Sequence, residues 1–210
     1  MLKILLVDDH EILRQGLKKI IEDEFTKVQC GEAENAAEAI KLAFNQPWDI
    51  IIMDINMPGR NGLDAIKELK INGLKTPILV LSMYPEDQFA LRVIKAGASG
   101  YLTKDSAPVL LVKAIKTILD GKQYLTESVA QILISDVRKE DYSNSHSILS
   151  DREFQVLQLI GRGLTVSQIG KELSLSVKTI STYRSHILSK MNMKSNADMI
   201  LYALKKNLVD

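Results

Sequence analysis

Asp49-Ile50-Ile51-Ile52-Met53-Asp54-Ile55-Asn56-Met57-Pro58-Gly59 is the stretch that decides the fold. Apolar residues run up to one aspartate, and a Pro-Gly turn signal follows. A short apolar run bounded by turn signals reads as a strand buried on both faces of a sheet. Strands of that kind belong to parallel sheets covered by helices, so the flanking sequence should alternate strand and helix. Asp54 then stands where its strand leaves the sheet. In open parallel sheets, that carboxyl edge is where ligands bind. Taken alone, Asp54 reads more readily as a cap or a turn residue than as a chemical group, and its neighbours in space decide between the readings.

Outward from this strand the alternation is regular. Leu2 to Val7 reads as a strand ending in Asp8-Asp9, and Glu11 to Glu24 carries Ile12, Leu13, Leu17, Ile20 and Ile21 at helical spacing. Val28 to Ala33 is a second strand. Asn35 with Glu38 has the form of a capping box before a helix that Pro47 closes. After the Asp54 strand come a helix from Gly62, a buried strand ending at Ser82, a helix from Glu86 stopped by Gly97, and a strand Gly100–Thr103. Pro108 sits at the start of a last helix, where its missing N–H costs nothing. Five strand–helix pairs predict a (βα)5 domain over residues 1–120, a parallel sheet covered by helices on both faces.

On that scaffold Asp8 and Asp9 end the first strand, Asp54 the third, Ser82 the fourth and Lys104 the fifth. Residues almost a hundred positions apart are therefore expected on one rim. Crowded carboxylates raise one another's pKa, and a divalent cation relieves the repulsion. Oxygen-only ligation completed by water suits Mg2+. Asp54 is the candidate nucleophile for a phosphoryl group, with the cation and Lys104 neutralising the equatorial oxygens and Ser82 donating a hydroxyl hydrogen bond. His10, His146 and His186 are scattered and read as exposed or structural.

Val7-Asp8-Asp9-His10, Met53 to Gly59, Leu81-Ser82 and Ala96 to Lys104 together resemble the receiver domain of two-component response regulators. The resemblance implies a flavodoxin-like, doubly wound sheet of order 2-1-3-4-5, and phosphorylation of Asp54 by a sensor histidine kinase. It implies Mg2+ bound by the Asp9 and Asp54 carboxylates and the Asn56 backbone carbonyl, with Asp8 behind them. Ser82 and Tyr101 match the family's switch pair: Ser82 moves toward the phosphoryl oxygens and Tyr101 fills the vacated space. Many receivers carry a proline, often cis, after the lysine. Here Asp105 stands there, and a cis bond before it would cost about 3 kcal/mol, so that loop is expected to differ.

Residues 121–147 form the expected connection, with a helix over Thr126–Val137 and a polar linker from Arg138 to Ser147. In the unit 148–210, Ser150 and Glu153 form a capping box before a helix, and Thr165 opens a second. A turn through Ser174-Leu175-Ser176 leads to a third helix, Val177 to Met191, and Asn196 caps a fourth. This is helix-turn-helix spacing. Val177, Ile180, Ile187, Leu188 and Met191 are placed toward the core. Lys178, Thr179, Ser181, Thr182, Arg184, Ser185 and Ser189 form the opposite face, which has no acid. Short hydroxyls and cations of this kind suit a DNA major groove, although a solvated helix of a small bundle has the same look. Leu149 to Glu153 and Leu175 to Arg184 resemble the LuxR-type DNA-binding domain, and the whole chain a NarL/FixJ-type response regulator. By that resemblance Ser181, Thr182 and Ser185 face base edges, Lys178, Thr179 and Arg184 face the backbone, and the fourth helix pairs two copies in a homodimer. Double-stranded DNA, the kinase and RNA polymerase are the implied partners.

Composition agrees with this division. At 210 residues the chain has room for two domains, and 46% apolar content fills two cores. Residues 1–120 carry 15 Lys and Arg against 17 Asp and Glu, whereas residues 148–210 carry 9 against 5, the bias a polyanion partner requires. No apolar run is long enough to span a membrane and the chain opens directly on a strand, so a cytoplasmic protein without membrane partners is expected. Cys30 reads as an inert buried thiol. No enzyme beyond phosphotransfer to Asp54 and its reversal is expected. A Mg2+-dependent phosphohydrolase would want an acid/base aspartate near position 56, where Asn56 stands, and a receiver serving only for dimerisation would not need the five rim residues.

Overall fold

The computed structural model describes residues 1–57, 61–138 and 145–209. The expected Pro58-Gly59 turn and most of the polar linker lie outside the described residues. The chain divides into two compact units, Met1–Arg138 and Lys139–Asp210.

In the first unit, β1 (Leu2–Val7), α1 (Glu11–Glu24), β2 (Val28–Ala33), α2 (Ala36–Asn45), β3 (Ile50–Asp54), α3 (Gly62–Ile71), β4 (Ile78–Ser82), α4 (Glu86–Lys95), β5 (Gly100–Thr103) and α5 (Ala107–Leu119) follow in order, and α6 (Glu127–Arg138) closes the unit. All pairings are parallel, as the alternation predicts, and the order is β2-β1-β3-β4-β5, as the resemblance implies. Side chains alternate between faces. Ile4, Leu6, Ile50, Ile52, Leu79, Leu81 and Leu102 pack with Leu17 and Ile21 of α1 and Leu111, Ile115 and Ile118 of α5. The intervening residues Leu5, Val7, Ile51, Met53, Val80 and Tyr101 are equally buried, so helices cover both faces. Burying each such aliphatic side chain contributes about 1.5–3 kcal/mol, and this sandwich fixes the sheet edge that carries the polar residues.

Two details correct the sequence reading. Ile12 is 90% exposed, because the buried stripe of α1 runs through Arg14, Leu17 and Ile21. Asn35 does cap α2 by accepting from the Glu38 N–H, but the Glu38 carboxylate reaches back to the Glu34 N–H, one residue short of a closed capping box. α6 belongs to the first unit. Val129 is fully buried, and both Thr126 Oγ1 and Ser128 Oγ donate to Glu86 Oε2 at the start of α4, at 2.6 and 2.7 Å.

The second unit is helical: a 3-10 turn (Ser145–Ile148), α7 (Asp151–Gly161), α8 (Val166–Glu172), α9 (Val177–Lys190) and α10 (Asn196–Lys205). Ser150 and Glu153 close the predicted capping box, and Thr165 with Gln168 closes another. The cap of α10 is Ser195, whose box partner is Asp198. Asn196 is instead the first helical residue, because a hydroxyl at 195 reaches the N–H three residues on. The α8–α9 turn is tight. A Cβ on Gly170 would lie 2.8 Å from the Leu175 carbonyl oxygen, and Ser174 takes the left-handed conformation (φ 52°) that ends α8.

Candidate functional site

The sheet is parallel, so every strand ends on the same edge. There Asp8, Asp9, Asp54 and Lys104 come together, and Ser82 ends the adjacent strand β4. Asp54 closes β3 in register with Leu81, and Lys104 follows β5 with its N–H on the Ser82 carbonyl at 2.8 Å. Lys104 Nζ stands 2.7 Å from Asp54 Oδ2 and 2.7 Å from Asp8 Oδ2. The first contact is a hydrogen bond. The second has the distance without hydrogen-bond alignment, since Asp8 Oδ2 has no hydrogen-bond partner, and it is best described as an ion pair. Asp54 Oδ1 accepts from the Asn56 N–H at 2.8 Å. Asp8, Asp54 and Lys104 are all buried.

The charges on this edge do not cancel. Burial pushes the Asp54 carboxyl above its usual range; Lys104 works against that shift and Asp8 adds to it. Burial also opposes the charge on Lys104, but Asp54 and Asp8 outweigh it and hold the ammonium pKa above its ordinary value. Oxygens of Asp8, Asp9 and Asp54 and a ring nitrogen of His10 all lie within 4.8 Å of one another. Asp9 Oδ1 and Asp8 Oδ2 are buried oxygens without a hydrogen-bond partner. A cluster of three carboxylates facing one ammonium has surplus negative charge, which fits a hard divalent cation. His10 is thus nearer the cluster than its reading as a scattered histidine implied: it lies 3.1 Å from both Asp8 and Asp9, with a side chain 65% exposed.

Ser82 Oγ accepts from the Tyr84 N–H at 3.0 Å. Tyr101 is fully buried, and its hydroxyl donates to the Tyr84 carbonyl at 2.7 Å. The inward tyrosine position, expected to follow modification of Asp54, is therefore already occupied. The Lys104–Asp105 bond is trans, as the absence of proline led one to expect.

Two site features had no part in the sequence reading. A Cβ on Gly62 would lie 2.2 Å from the Asp54 carbonyl oxygen, so only glycine lets α3 begin against the backbone of the candidate nucleophile. Arg14 is buried among apolar residues on α1, and its Nη1 donates to the Asp8 carbonyl at 2.7 Å. The Arg14-Leu17-Ile21 spacing was the available signal, since it places a cation on the buried stripe.

In the second unit, α9 turns Lys178, Ser181, Thr182 and Ser185 to solvent and leaves Thr179 and Arg184 half-buried. Ile180 and Ile187 face the core as predicted, but Val177, placed there too, is 51% exposed. The hydroxyls fold onto the helix: Thr182 Oγ1 donates to the Lys178 carbonyl and Ser185 Oγ to the Ser181 carbonyl, both at 3.0 Å. The face is consequently low and can approach another surface closely. Arg184 Nε donates to Asn196 Oδ1. Glu153 caps α7 and ties it to α9 through Lys190 Nζ at 2.6 Å and His186 at 3.3 Å; burial alone would raise its pKa, but Lys190 and Ser150 hold it below the ordinary value.

An acidic, lysine-bearing sheet edge joined in one chain to a helix-turn-helix unit defines a two-module regulatory protein. Family models agree: residues 4–116 match the response regulator receiver domain and residues 147–203 the bacterial regulatory proteins of the luxR family. The chain belongs to the response regulators, with a receiver domain followed by a LuxR-type DNA-binding domain. It is 34% identical over 209 residues to the response regulator UvrY of Escherichia coli K12, covering 99% of this chain and 96% of that protein. Among solved structures it is similar to RcsB of Salmonella typhimurium, at 28% identity and a TM-score of 0.61 over 96% of this chain and 98% of that one. RcsB bound to promoter P1flhDC in the presence of the phosphomimetic BeF3- is similar at 27% identity and a TM-score of 0.60, over 96% and 97% of the two chains. Among the described residues, no helix is long and apolar enough to cross a membrane.

Proposed function

We propose that this response regulator is a transcription factor switched by phosphorylation of Asp54, with the phosphoryl group supplied by a sensor histidine kinase. The observation that carries the proposal is Lys104 Nζ at 2.7 Å from both Asp54 and Asp8, beside an unsatisfied Asp9 oxygen. In the transfer, an Asp54 carboxylate oxygen forms the new bond to phosphorus, and the bond from phosphorus to the donor's imidazole nitrogen breaks. Hydrolysis by water later returns the carboxylate and releases phosphate. Asp54 is buried, so it approaches phosphorus with little hydration to shed. Lys104 stays protonated and neutralises charge on the phosphoryl oxygens, which is most of what the reaction asks of a protein. Asp9, Asp54 and the Asn56 carbonyl are the residues assigned to Mg2+, with Asp8 behind them. When bound, the cation supplies further positive charge against the same oxygens.

Ser82 and Tyr101 transmit the change. Both engage the backbone of Tyr84, so a Ser82 hydroxyl drawn toward the phosphoryl group gives up the Tyr84 N–H and releases the segment that leads into α4. The equilibrium between two receiver conformations shifts, and the homodimer forms. Each α9 then enters a major groove, with Ser181, Thr182 and Ser185 toward base edges and Lys178, Thr179 and Arg184 toward phosphates. The receiver, 1–120, carries α6 of the expected 121–147 connection within its own compact unit, and 148–210 supplies the DNA-binding domain. The setting is cytoplasmic, and RNA polymerase is the downstream partner. Beyond phosphotransfer and dephosphorylation at Asp54 the chain has no enzymatic role.

The test compares wild type with Asp54→Asn, each incubated with a small phosphodonor and Mg2+. Acid-labile phosphate and DNA affinity are both measured. Wild type should be labelled and bind DNA more tightly after labelling, and Asp54→Asn should do neither. Wild type that stays unlabelled while binding DNA tightly refutes the switch.

A further inference from the structure

Behind the acidic pocket lies a second polar cluster that the phosphotransfer chemistry does not use. Arg14 of α1 is buried, with a side chain 5% exposed. Its guanidinium makes three contacts of different kinds: Nε to Glu32 Oε2 at 3.3 Å, Nη2 to Glu34 Oε1 at 3.3 Å, and Nη1 to the backbone carbonyl of Asp8 at 2.7 Å. The acids belong to the end of β2 and the residue just after it, while the carbonyl belongs to the β1–α1 connection. The shortest contact is to the carbonyl.

Asp8 is thereby held at every polar group it has. Its N–H donates to the Ala33 carbonyl at 3.1 Å, Oδ1 accepts from the His10 N–H at 2.8 Å, and Oδ2 faces Lys104. Arg14 supplies the one bond that fixes its carbonyl. That carbonyl is the bond from which Asp9 departs, so its orientation sets where the Asp9 carboxylate lies relative to Asp8 and Asp54. A guanidinium presents its donors in a rigid planar fork, and here three different nitrogens of that fork serve the two carboxylates and the carbonyl in fixed directions.

We propose that Arg14 is a positioning residue for the cation pocket: by holding the Asp8 carbonyl it sets the spacing of the Asp8 and Asp9 carboxylates. The ion pairs to Glu32 and Glu34 serve to orient Arg14 and to stabilise the fold. This rests on the reading of Asp9 and Asp54 as the cation's ligands.

The experiment titrates Mg2+ into the full-length protein by calorimetry and records thermal unfolding of the same samples. Four proteins are compared: wild type, Arg14→Met, Arg14→Lys, and the double variant Glu32→Gln with Glu34→Gln. Groups that orient metal ligands change affinity by about tenfold or more when removed, and Arg14→Met should weaken Mg2+ binding by that factor at unchanged stoichiometry. Arg14→Lys keeps a donor for the carbonyl and should recover affinity to within about twofold of wild type while remaining less heat-stable. The double variant keeps the Asp8 bond, so it should lose stability but not affinity. Wild-type affinity in Arg14→Met overturns the proposal, as does an affinity loss in the double variant that matches the loss in Arg14→Met, which would make Arg14 a stabiliser only. Should Arg14→Met not fold, the titration is read on Arg14→Gln, whose amide ends short of the Nη1 position that holds the Asp8 carbonyl, with the same expected loss and the same refuting result. Wild type that binds no Mg2+ sinks the cation pocket itself and the positioning role with it, an outcome distinct from the other two.

Discussion

Magnesium should raise the thermal stability of the receiver unit, and the size of the effect follows from the pocket. Three carboxylates, Asp8, Asp9 and Asp54, face one ammonium, Lys104. With all four ionised, a surplus of negative charge is folded into a small volume. At 4.8 Å, the limit within which the ligand atoms lie, two like unit charges repel by about 3.5 kcal/mol at an effective dielectric of about 20. A dication placed among them reverses the sign of that term. It binds the folded state and not the unfolded one, so at about a hundredfold excess over its Kd it adds about 2.7 kcal/mol to stability. For a unit the size of Met1–Arg138, that corresponds to a rise in Tm of about 10 °C. The assay is a thermal melt followed by circular dichroism or calorimetry, with chelator and then with saturating Mg2+. Asp9→Asn takes one carboxylate out of the cluster, so it should abolish the shift and, by relieving the repulsion, raise the cation-free melt above that of wild type. A shift of equal size in Asp9→Asn, or none in wild type, would refute the assignment of these carboxylates to the cation.

Three further outcomes are expected. Asp54 has a folded-state pKa above its ordinary value, so its contribution to stability is fully present below the unfolded pKa and is lost as pH rises through the folded one; Asp54→Asn should therefore be more stable than wild type in cation-free urea denaturation at neutral pH, with the difference fading below about pH 4, and a difference that grows on acidification would contradict the burial argument. Gly62→Ala drives a Cβ to 2.2 Å from the Asp54 carbonyl oxygen and should cost at least about 1–3 kcal/mol in chemical denaturation, while reducing phosphodonor labelling because α3 shifts against the site. Lys178→Ala should weaken DNA binding alike across sequences and reduce the slope of log affinity against log salt by about 1; a change of sequence preference instead would move Lys178 from phosphates to base edges.

Much of this protein was legible in the order of its residues. Strand–helix alternation is written in the apolar periods, and parallel pairing follows from it, because the helices between strands leave no other way to return. The convergence of Asp8, Asp54, Ser82 and Lys104 needed no more than that topology, since parallel strands all end on one edge. Capping signals at Ser150 and Thr165 were local and formed as expected, and the cap of α10 moved from Asn196 to Ser195 because neighbouring polar residues compete for one backbone N–H.

What only the tertiary structure decided has a common physical cause: it depends on distances between elements, which no local period encodes. The inward position of Tyr101 is settled by the carbonyl of Tyr84, seventeen residues away. The exposure of Ile12 and Val177 is settled by which neighbours reach those turns. The need for glycine at 62 appears only when α3 is laid against β3, and Arg14 becomes a support of the acidic pocket only when α1, β2 and the end of β1 are brought together. The sequence by itself determined which residues share an edge of the sheet. The packing of separate elements determined which of their atoms touch there, because side-chain contacts are resolved at ångström scale while hydrophobic patterning fixes only faces and order.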